Sequence, residues 1–213
     1  MKTMERPRLL TFDIFGTVVD WRRGLAEALR ARGVDLGEDG FDRVIDAQAR
    51  LEAEAFRTYR EVTARSLVEV FGLDLGAAEA IGAAVGTWPL FADSREGLAR
   101  LRAIAPCAAM TNSDRAHGEQ VVAQLGFRLA HWISAEEVRL YKPAEAFWRA
   151  VAERLGIEPG PHWWHVSAYA DYDLDVAARL GLTTVYVPRP HRRPGPATYT
   201  AQDLVALARR LEG

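Results

Sequence analysis

The sequence predicts an α/β protein: a Rossmann-like parallel sheet core with an inserted all-helical cap. Three observations predict it. An apolar run, Leu9-Leu10-Thr11-Phe12, ends on Asp13 and breaks at Gly16, as a buried strand does when it delivers a polar residue to its carboxyl end. Residues 22–87 then carry their apolar positions at helical spacing, without a convincing strand. From Asp93 onward, helical stretches alternate with short apolar runs, which implies parallel strands joined by right-handed crossovers.

Taken in order, the first strand ends at Asp13. Gly24–Leu29 is a short amphipathic helix that stops near Gly33. Phe41 to Phe71 keeps helical spacing through Val44, Ile45, Leu51, Ala55, Val62, Leu67 and Val68. Ala77–Val85 is Ala-rich and closes at Gly86, and Pro89 ends the helical region. A helix over Ser94–Arg102 leads to a strand over Cys107–Met110, and one over Ala116–Leu125 leads to a strand at Trp132-Ile133. A helix over Ala144–Leu155 leads to Trp163–Val166, and one over Leu174–Leu180 leads to Thr183–Val187. Gln202–Leu211 is a last amphipathic helix. The domain reading is a core of residues 1–21 and 88–213 with a cap of residues 22–87.

Composition narrows the function classes. The 213 residues can bury one core with a sizeable insertion. Apolar residues make up 49% and charged residues 26%, the mixture expected of a soluble protein. A net charge of −2 gives no electrostatic case for nucleic acid or an anionic membrane as partner. The polar start, Met1 to Arg8, has no secretory apolar region, and no run of apolar residues is long enough to span a bilayer. The single cysteine, Cys107, lies in an apolar run and reads as a buried structural thiol in a reducing, cytoplasmic setting.

In a parallel sheet the loops after each strand share one edge. Asp13 follows the first strand, Thr111-Asn112-Ser113 the second, Tyr141-Lys142-Pro143 the third, and Asp171, Asp173 and Asp175 the fourth. A carboxylate, hydroxyl and amide groups, an ammonium and further carboxylates thus converge from distant parts of the chain, and that convergence marks a candidate active site. Each group alone has a plainer role: Thr111-Asn112-Ser113 and Asp173 also fit as helix caps.

The motifs Phe12-Asp13-Ile14-Phe15-Gly16-Thr17, Thr111-Asn112-Ser113, Tyr141-Lys142-Pro143 and Asp173 before Gly181-Leu182 resemble, in this order, those of the type II (L-2-)haloacid dehalogenases of the haloacid dehalogenase superfamily. The linker Trp88-Pro89-Leu90-Phe91-Ala92-Asp93 resembles that family's return from cap to core. The resemblance implies hydrolysis of an (S)-2-haloalkanoic acid, or a related small carboxylic acid, to the 2-hydroxy acid. It implies no metal and no cofactor, and a homodimer. Asp13 would be the nucleophile that forms an ester with the substrate carbon, and Thr17 would orient it. Thr111 and Asn112, with Ser113 and Phe15 beside them, would hold the substrate. Lys142 would keep Asp13 ionised, because a nearby cation lowers a carboxylate pKa by roughly 1–3 units. Asp173 would help activate the water that cleaves the ester.

One position separates this reading from its rival. In the superfamily's phosphatases a second aspartate, two residues after the first, serves the leaving alkoxide as acid and base. Here that position is Phe15, and a halide leaves without a proton. A magnesium-dependent phosphatase of the same superfamily is the first alternative, and a non-catalytic small-acid-binding dimeric protein the second. The chain also departs from the family pattern. The loop from Val166 to Asp173 is one residue longer and lacks a Ser-Asn pairing, Trp148 stands where a tyrosine is common, and Arg43, Arg50 and Arg57 compete as the cap arginine. Trp21, Trp88 and Phe91 read equally as halide-pocket walls or hinge packing. His162 and His165 read as strand packing, with Trp163 and His165 on one face. The basic loop from Pro188 to Gly195 reads as solvated.

Overall fold

The structure, a computed structural model, describes residues 6–213; Met1–Glu5, and with them most of the polar N-terminal stretch, lie outside it. Six strands form one all-parallel sheet in the order β3-β2-β1-β4-β5-β6: β1 (Leu9–Phe12), β2 (Cys107–Thr111), β3 (His131–Ser134), β4 (Trp163–Ser167), β5 (Thr183–Tyr186) and β6 (Tyr199–Thr200). The fold is therefore the expected Rossmann-like α/β sheet. β1, β2 and β4 are buried along their whole length, as their continuous apolar runs require of strands covered on both faces. The strand order reverses between β1 and β4, where such sheets open their ligand crevice.

Between β1 and β2 run α1 (Trp21–Arg30), α2 (Gly40–Glu54), α3 (Tyr59–Phe71) and α4 (Leu75–Ala83). The apolar stretch from Phe41 to Phe71 is two helices, not one. Thr58 interrupts it with a capping box, its hydroxyl accepting from Glu61 N at 3.2 Å while the Glu61 carboxylate takes the Thr58 amide at 2.9 Å. The amides of Tyr59 and Arg60 donate to the Asp114 carboxylate at 2.6 and 2.9 Å. A core aspartate thus sits at the positive end of α3 and ties that helix to the sheet.

α5 (Ser94–Ile104) precedes β2; after it come α6 (Arg115–Leu125), α7 (Ala135–Val138), α8 (Glu145–Leu155), α9 (Asp175–Arg179) and α10 (Leu204–Glu212). The short α7 carries its own capping box from Ser134 to Glu137, a signal too brief to stand out in the sequence. The helix expected from Leu174 begins earlier, as a π-helical turn over Ala170–Leu174. β6 escapes a sequence reading because two residues show no alternation.

The loop from Pro188 to Gly195 exposes its prolines, Arg192 and Gly195 but turns two side chains inward. Arg189 and His191 are buried, and Arg189 donates to both oxygens of Asp93 at 2.7 and 2.9 Å and to Thr17 O at 3.0 Å. Trp88 packs edge-on against Trp21 with ring centres 5.6 Å apart, and Phe91 lies 4.0 Å beneath the Arg189 guanidinium. Neither Trp88 nor Phe91 lines the cavity beside Asp13. Cys107 is buried, with burial pushing its thiol up to about 12. Among the described residues no helix is long and apolar enough to cross a membrane.

Candidate active site

Asp13 stands one residue past β1, its amide hydrogen-bonded to Val166 O of β4 at 3.0 Å. Gly16 then turns the chain at φ +98°, and a Cβ there would run into the Tyr169 ring, so both conformation and space require glycine. The turn brings Thr17 back onto Asp13. Its hydroxyl donates to Asp13 Oδ2 at 2.6 Å and accepts from the Ala168 amide at 2.9 Å. Lys142, fully buried after β3, donates to Asp13 Oδ1 at 3.0 Å and to Asp173 Oδ2 at 2.8 Å. One ammonium therefore bridges two buried carboxylates. Burial pushes the Asp13 carboxyl up; Lys142 opposes this, but the Asp173 charge adds to the rise. Burial acts on Asp173 in the same sense, yet Lys142 and His165 outweigh it and hold that carboxyl below its ordinary value. The Lys142 ammonium is desolvated too, but its two carboxylates keep its pKa raised.

A cavity of about 180 Å³ opens on Asp13. Phe15, Thr111, Asn112 and Lys142 reach its wall, and α2 contributes Ile45, Asp46, Gln48, Ala49 and Glu52. Trp21, Tyr59, Tyr169 and Tyr172 supply aromatic walls, and Arg193 a cation. Phe15 packs against Tyr59 at 5.9 Å and against His117 at 6.3 Å, so the position two residues after Asp13 is an apolar aromatic cluster. Of the expected residues, Thr17, Ser113 and Asp173 stand off the wall. Thr17 donates to Asp13, Ser113 accepts from the Thr111 hydroxyl at 3.2 Å, and Asp173 is fully buried in contact with Lys142. Asn112 lies on the wall with its amide engaged: it donates to Lys142 O at 2.8 Å and to the Tyr172 hydroxyl at 2.7 Å, with Glu52 at 3.3 Å, and accepts from the Lys142 amide at 2.7 Å.

None of Arg43, Arg50 and Arg57 lines the cavity. Arg43 donates to Val70 O, Arg50 pairs with Glu69, and Arg57 serves Leu51 O and Glu54. Arg193 is there instead, its Nε and Nη2 both on Asp171 Oδ2 at 2.9 and 2.6 Å. The Arg193 carbonyl also accepts from Ala170 N at 3.0 Å. The loop after β4, which supplies Asp171 and Ala170, is thus laced to the arginine.

Glu52 was not a sequence candidate. Burial pushes its carboxyl up to about 8, so it stands protonated at neutral pH. Ile45, Gln48, Ala49 and Glu52 share one α2 face at helical spacing, and polar residues on an otherwise apolar stripe were the signal available. His165 was read as packing, and it does share a face with Trp163. It also donates from Nε2 to Asp173 Oδ2 at 3.0 Å. Among the described residues no group of three or more His, Cys, Asp or Glu side chains forms a metal-holding cluster.

The family model for haloacid dehalogenase-like hydrolases matches residues 7–163. The chain belongs to the haloacid dehalogenase-like hydrolases. Solved relatives extend the likeness over the whole chain. A defluorinating L-2-haloacid dehalogenase is 24% identical with a TM-score of 0.82, covering 99% of this chain and 97% of its own. An L-2-haloacid dehalogenase of Xanthobacter autotrophicus, solved with chloropropionic acid covalently bound, is 20% identical with a TM-score of 0.83, covering 97% and 99%. A HAD-hydrolase structure from Bacillus subtilis, bound to magnesium, is 18% identical with a TM-score of 0.82, covering 98% and 100%. At these identities the likeness to this hydrolase is one of fold. No curated protein matches the sequence.

Proposed function

We propose that this haloacid dehalogenase-like hydrolase cleaves the carbon–halogen bond of small (S)-2-haloacids through an ester on Asp13. The carrying observation is Phe15, on the cavity wall beside Asp13 and packed among aromatic rings. A group there that cannot carry a proton suits a leaving group that needs none. In the first step Asp13 attacks the halogenated carbon in line, the carbon–halogen bond breaks, halide departs and the centre inverts. Water then adds to the Asp13 carbonyl, and the bond from that carbon to the substrate oxygen breaks to release the 2-hydroxy acid. Thr17 and Lys142 fix the nucleophile's two oxygens, and positioning at near-attack distance supplies much of the rate.

In this reading Arg193 and Thr111 face the substrate carboxylate, a role Arg193 takes over from the expected cap arginines. The aromatic walls exclude competing water. The same reading divides the chain into a core of residues 1–21 and 88–213 and a cap of residues 22–87, and extends to a homodimer in the cytoplasm.

The Bacillus subtilis relative bound to magnesium favours a second reading, a magnesium-dependent phosphatase in which Asp13 receives a phosphoryl group. Without an acid in place of Phe15 such an enzyme forgoes roughly 10²–10⁴ in rate. One assay separates the two: halide release from 2-chloro- and 2-bromo-acids beside hydrolysis of a generic phosphate ester, each with and without EDTA. Halide release that survives chelation is the expected outcome. Phosphate release that needs magnesium, with no halide release, would reverse the ranking.

A further inference from the structure

His165 is a fully buried imidazole for which the reaction above has no use. It stands on β4 in register with Thr11 of β1, and the hydrogen bonds around the pair run in one direction. Trp163 Nε1 lies 2.8 Å from Thr11 Oγ1. An indole nitrogen only donates, so the hydroxyl accepts there. Thr11 Oγ1 lies 2.8 Å from His165 Nδ1 and a longer 3.3 Å from Trp164 O. In the neutral ring the shorter contact takes the hydroxyl's single proton, so Nδ1 accepts. An imidazole that accepts at Nδ1 carries its proton on Nε2, and Nε2 lies 3.0 Å from Asp173 Oδ2. Trp148 of α8, packed edge-on 4.7 Å from the ring, holds its plane.

The chain ends on one oxygen of Asp173. Oδ2 accepts from both His165 and Lys142, whereas Oδ1 is buried and has no hydrogen-bond partner among the described residues. A buried carboxylate oxygen without a donor is uncommon and calls for a reason. We propose that His165 is a positioning residue: by committing Oδ2 of Asp173 together with Lys142, it keeps Oδ1 as the basic oxygen for the water that hydrolyses the aspartyl ester. The proposal rests on the ester reading of Asp13. The water oxygen bonds to the Asp13 carbonyl carbon as one of its protons passes to Oδ1. The bond from that carbon to the substrate oxygen then breaks, and the departing alkoxide takes up the proton from Oδ1. Asp13 is left as a carboxylate once the remaining water proton is released to solvent. Phe15 needs no acidic replacement in this scheme, because the only alkoxide forms in the second step and Asp173 serves it.

The test uses rapid-quench halide release and intact-protein mass on the full chain with 2-chloropropionate. In His165→Phe the first-turnover burst should keep its size and rate within about threefold. Steady-state turnover should fall by about 10–100-fold, the loss typical of removing a partner that orients a reacting group, and the covalent adduct should accumulate. His165→Gln places an amide N–H where Nε2–H was and should recover most of the turnover. Thr11→Val frees the ring's tautomer and should slow the second step in the same direction, which keeps the test available if His165→Phe does not fold. Equal slowing of burst and steady state, or unchanged turnover without adduct, would overturn the proposal. A native protein that shows neither burst nor adduct would overturn the ester reading itself, and the proposal with it.

Discussion

At the residue scale the site turns on two carboxylates sharing one ammonium. Lys142 bridges Asp13 and Asp173, and the outcome is unequal. Asp173 is held low, while Asp13, burdened by burial and by its neighbour's charge, is raised. A nucleophile must be ionised, so the proposed first step should fail on the acid side at a pH above the ordinary carboxylate value. The sign follows directly: below the raised pKa Asp13 carries a proton and cannot attack, and above it the burst reaches its plateau. Single-turnover burst rates measured from pH 4 to 8 should show this acid limb, and an Asp173→Asn variant, having lost the repelling charge, should shift it to lower pH. A burst rate flat across that range would mean that Asp13 is ionised throughout.

At the scale of elements, α2 and the loop after β5 set the character of the cavity. α2 presents Glu52, whose carboxyl burial raises to about 8. A carboxyl raised in the folded state stabilises relative to its ionised form only below its unfolded pKa, so the protein should lose stability as pH climbs from about 4.5 toward 8. Over that window the unfolded chain has released a proton that the folded one keeps, a slope of up to about 1.4 kcal/mol per pH unit. Glu52→Gln should flatten this slope, leaving Tm unchanged near pH 4 and raising it near pH 8. Equal Tm differences at both pH values would show that Glu52 titrates normally. The loop after β5 carries Arg193, pinned by Asp171 of the loop after β4. If Arg193 meets the substrate carboxylate, Arg193→Gln should raise KM for 2-haloacids by roughly 10-fold or more, the loss of one charge-assisted hydrogen bond at about 1.5–3 kcal/mol, with a smaller change in kcat. A normal KM in this variant, with a raised KM in Arg57→Gln, would return the role to Arg57.

Across the whole molecule, Arg189 joins three distant segments: the Asp13 loop through Thr17 O, the return linker through Asp93, and its own loop after β5. Asp93 also accepts from the Leu204 amide at 2.8 Å, at the start of α10. Burial alone would raise the Asp93 carboxyl, but Arg189 and the Leu204 amide lower it. A lowered carboxyl contributes stability above its unfolded pKa and loses it as pH falls through the folded value. Arg189→Met should therefore cost about 2–3 kcal/mol at pH 7, somewhat under the 3–5 kcal/mol of a fully buried pair, and progressively less as pH falls below the ordinary carboxylate value. Chemical denaturation across that range measures it; an equal loss throughout would mean that the side chain acts by packing alone.

Five of the six strands and their order along the chain were legible in the sequence, because short, largely apolar runs ending near Asp13, Thr111, Ser134, Ser167 and Val187 encode burial locally, whereas the two residues of β6 carry no such run. The sequence by itself also determined which loops meet, since parallel strands place their carboxyl ends on one edge, and so Asp13, Thr17 and Lys142 were legible as a group. Tertiary structure alone decided what each polar group faces. Glu52 drew no notice and Arg193 read as part of a solvated loop, because nothing local reveals that a helix stripe or a proline-rich loop closes over a cavity. His165 looked like packing because its partner Thr11 lies on another strand and its target Asp173 beyond the turn. The break at Thr58 was written in its capping box but masked by apolar spacing that continues across it. Periodicity reports which side of an element is buried, whereas the charge state and partner of a buried group depend on atoms that the chain brings together only when it folds.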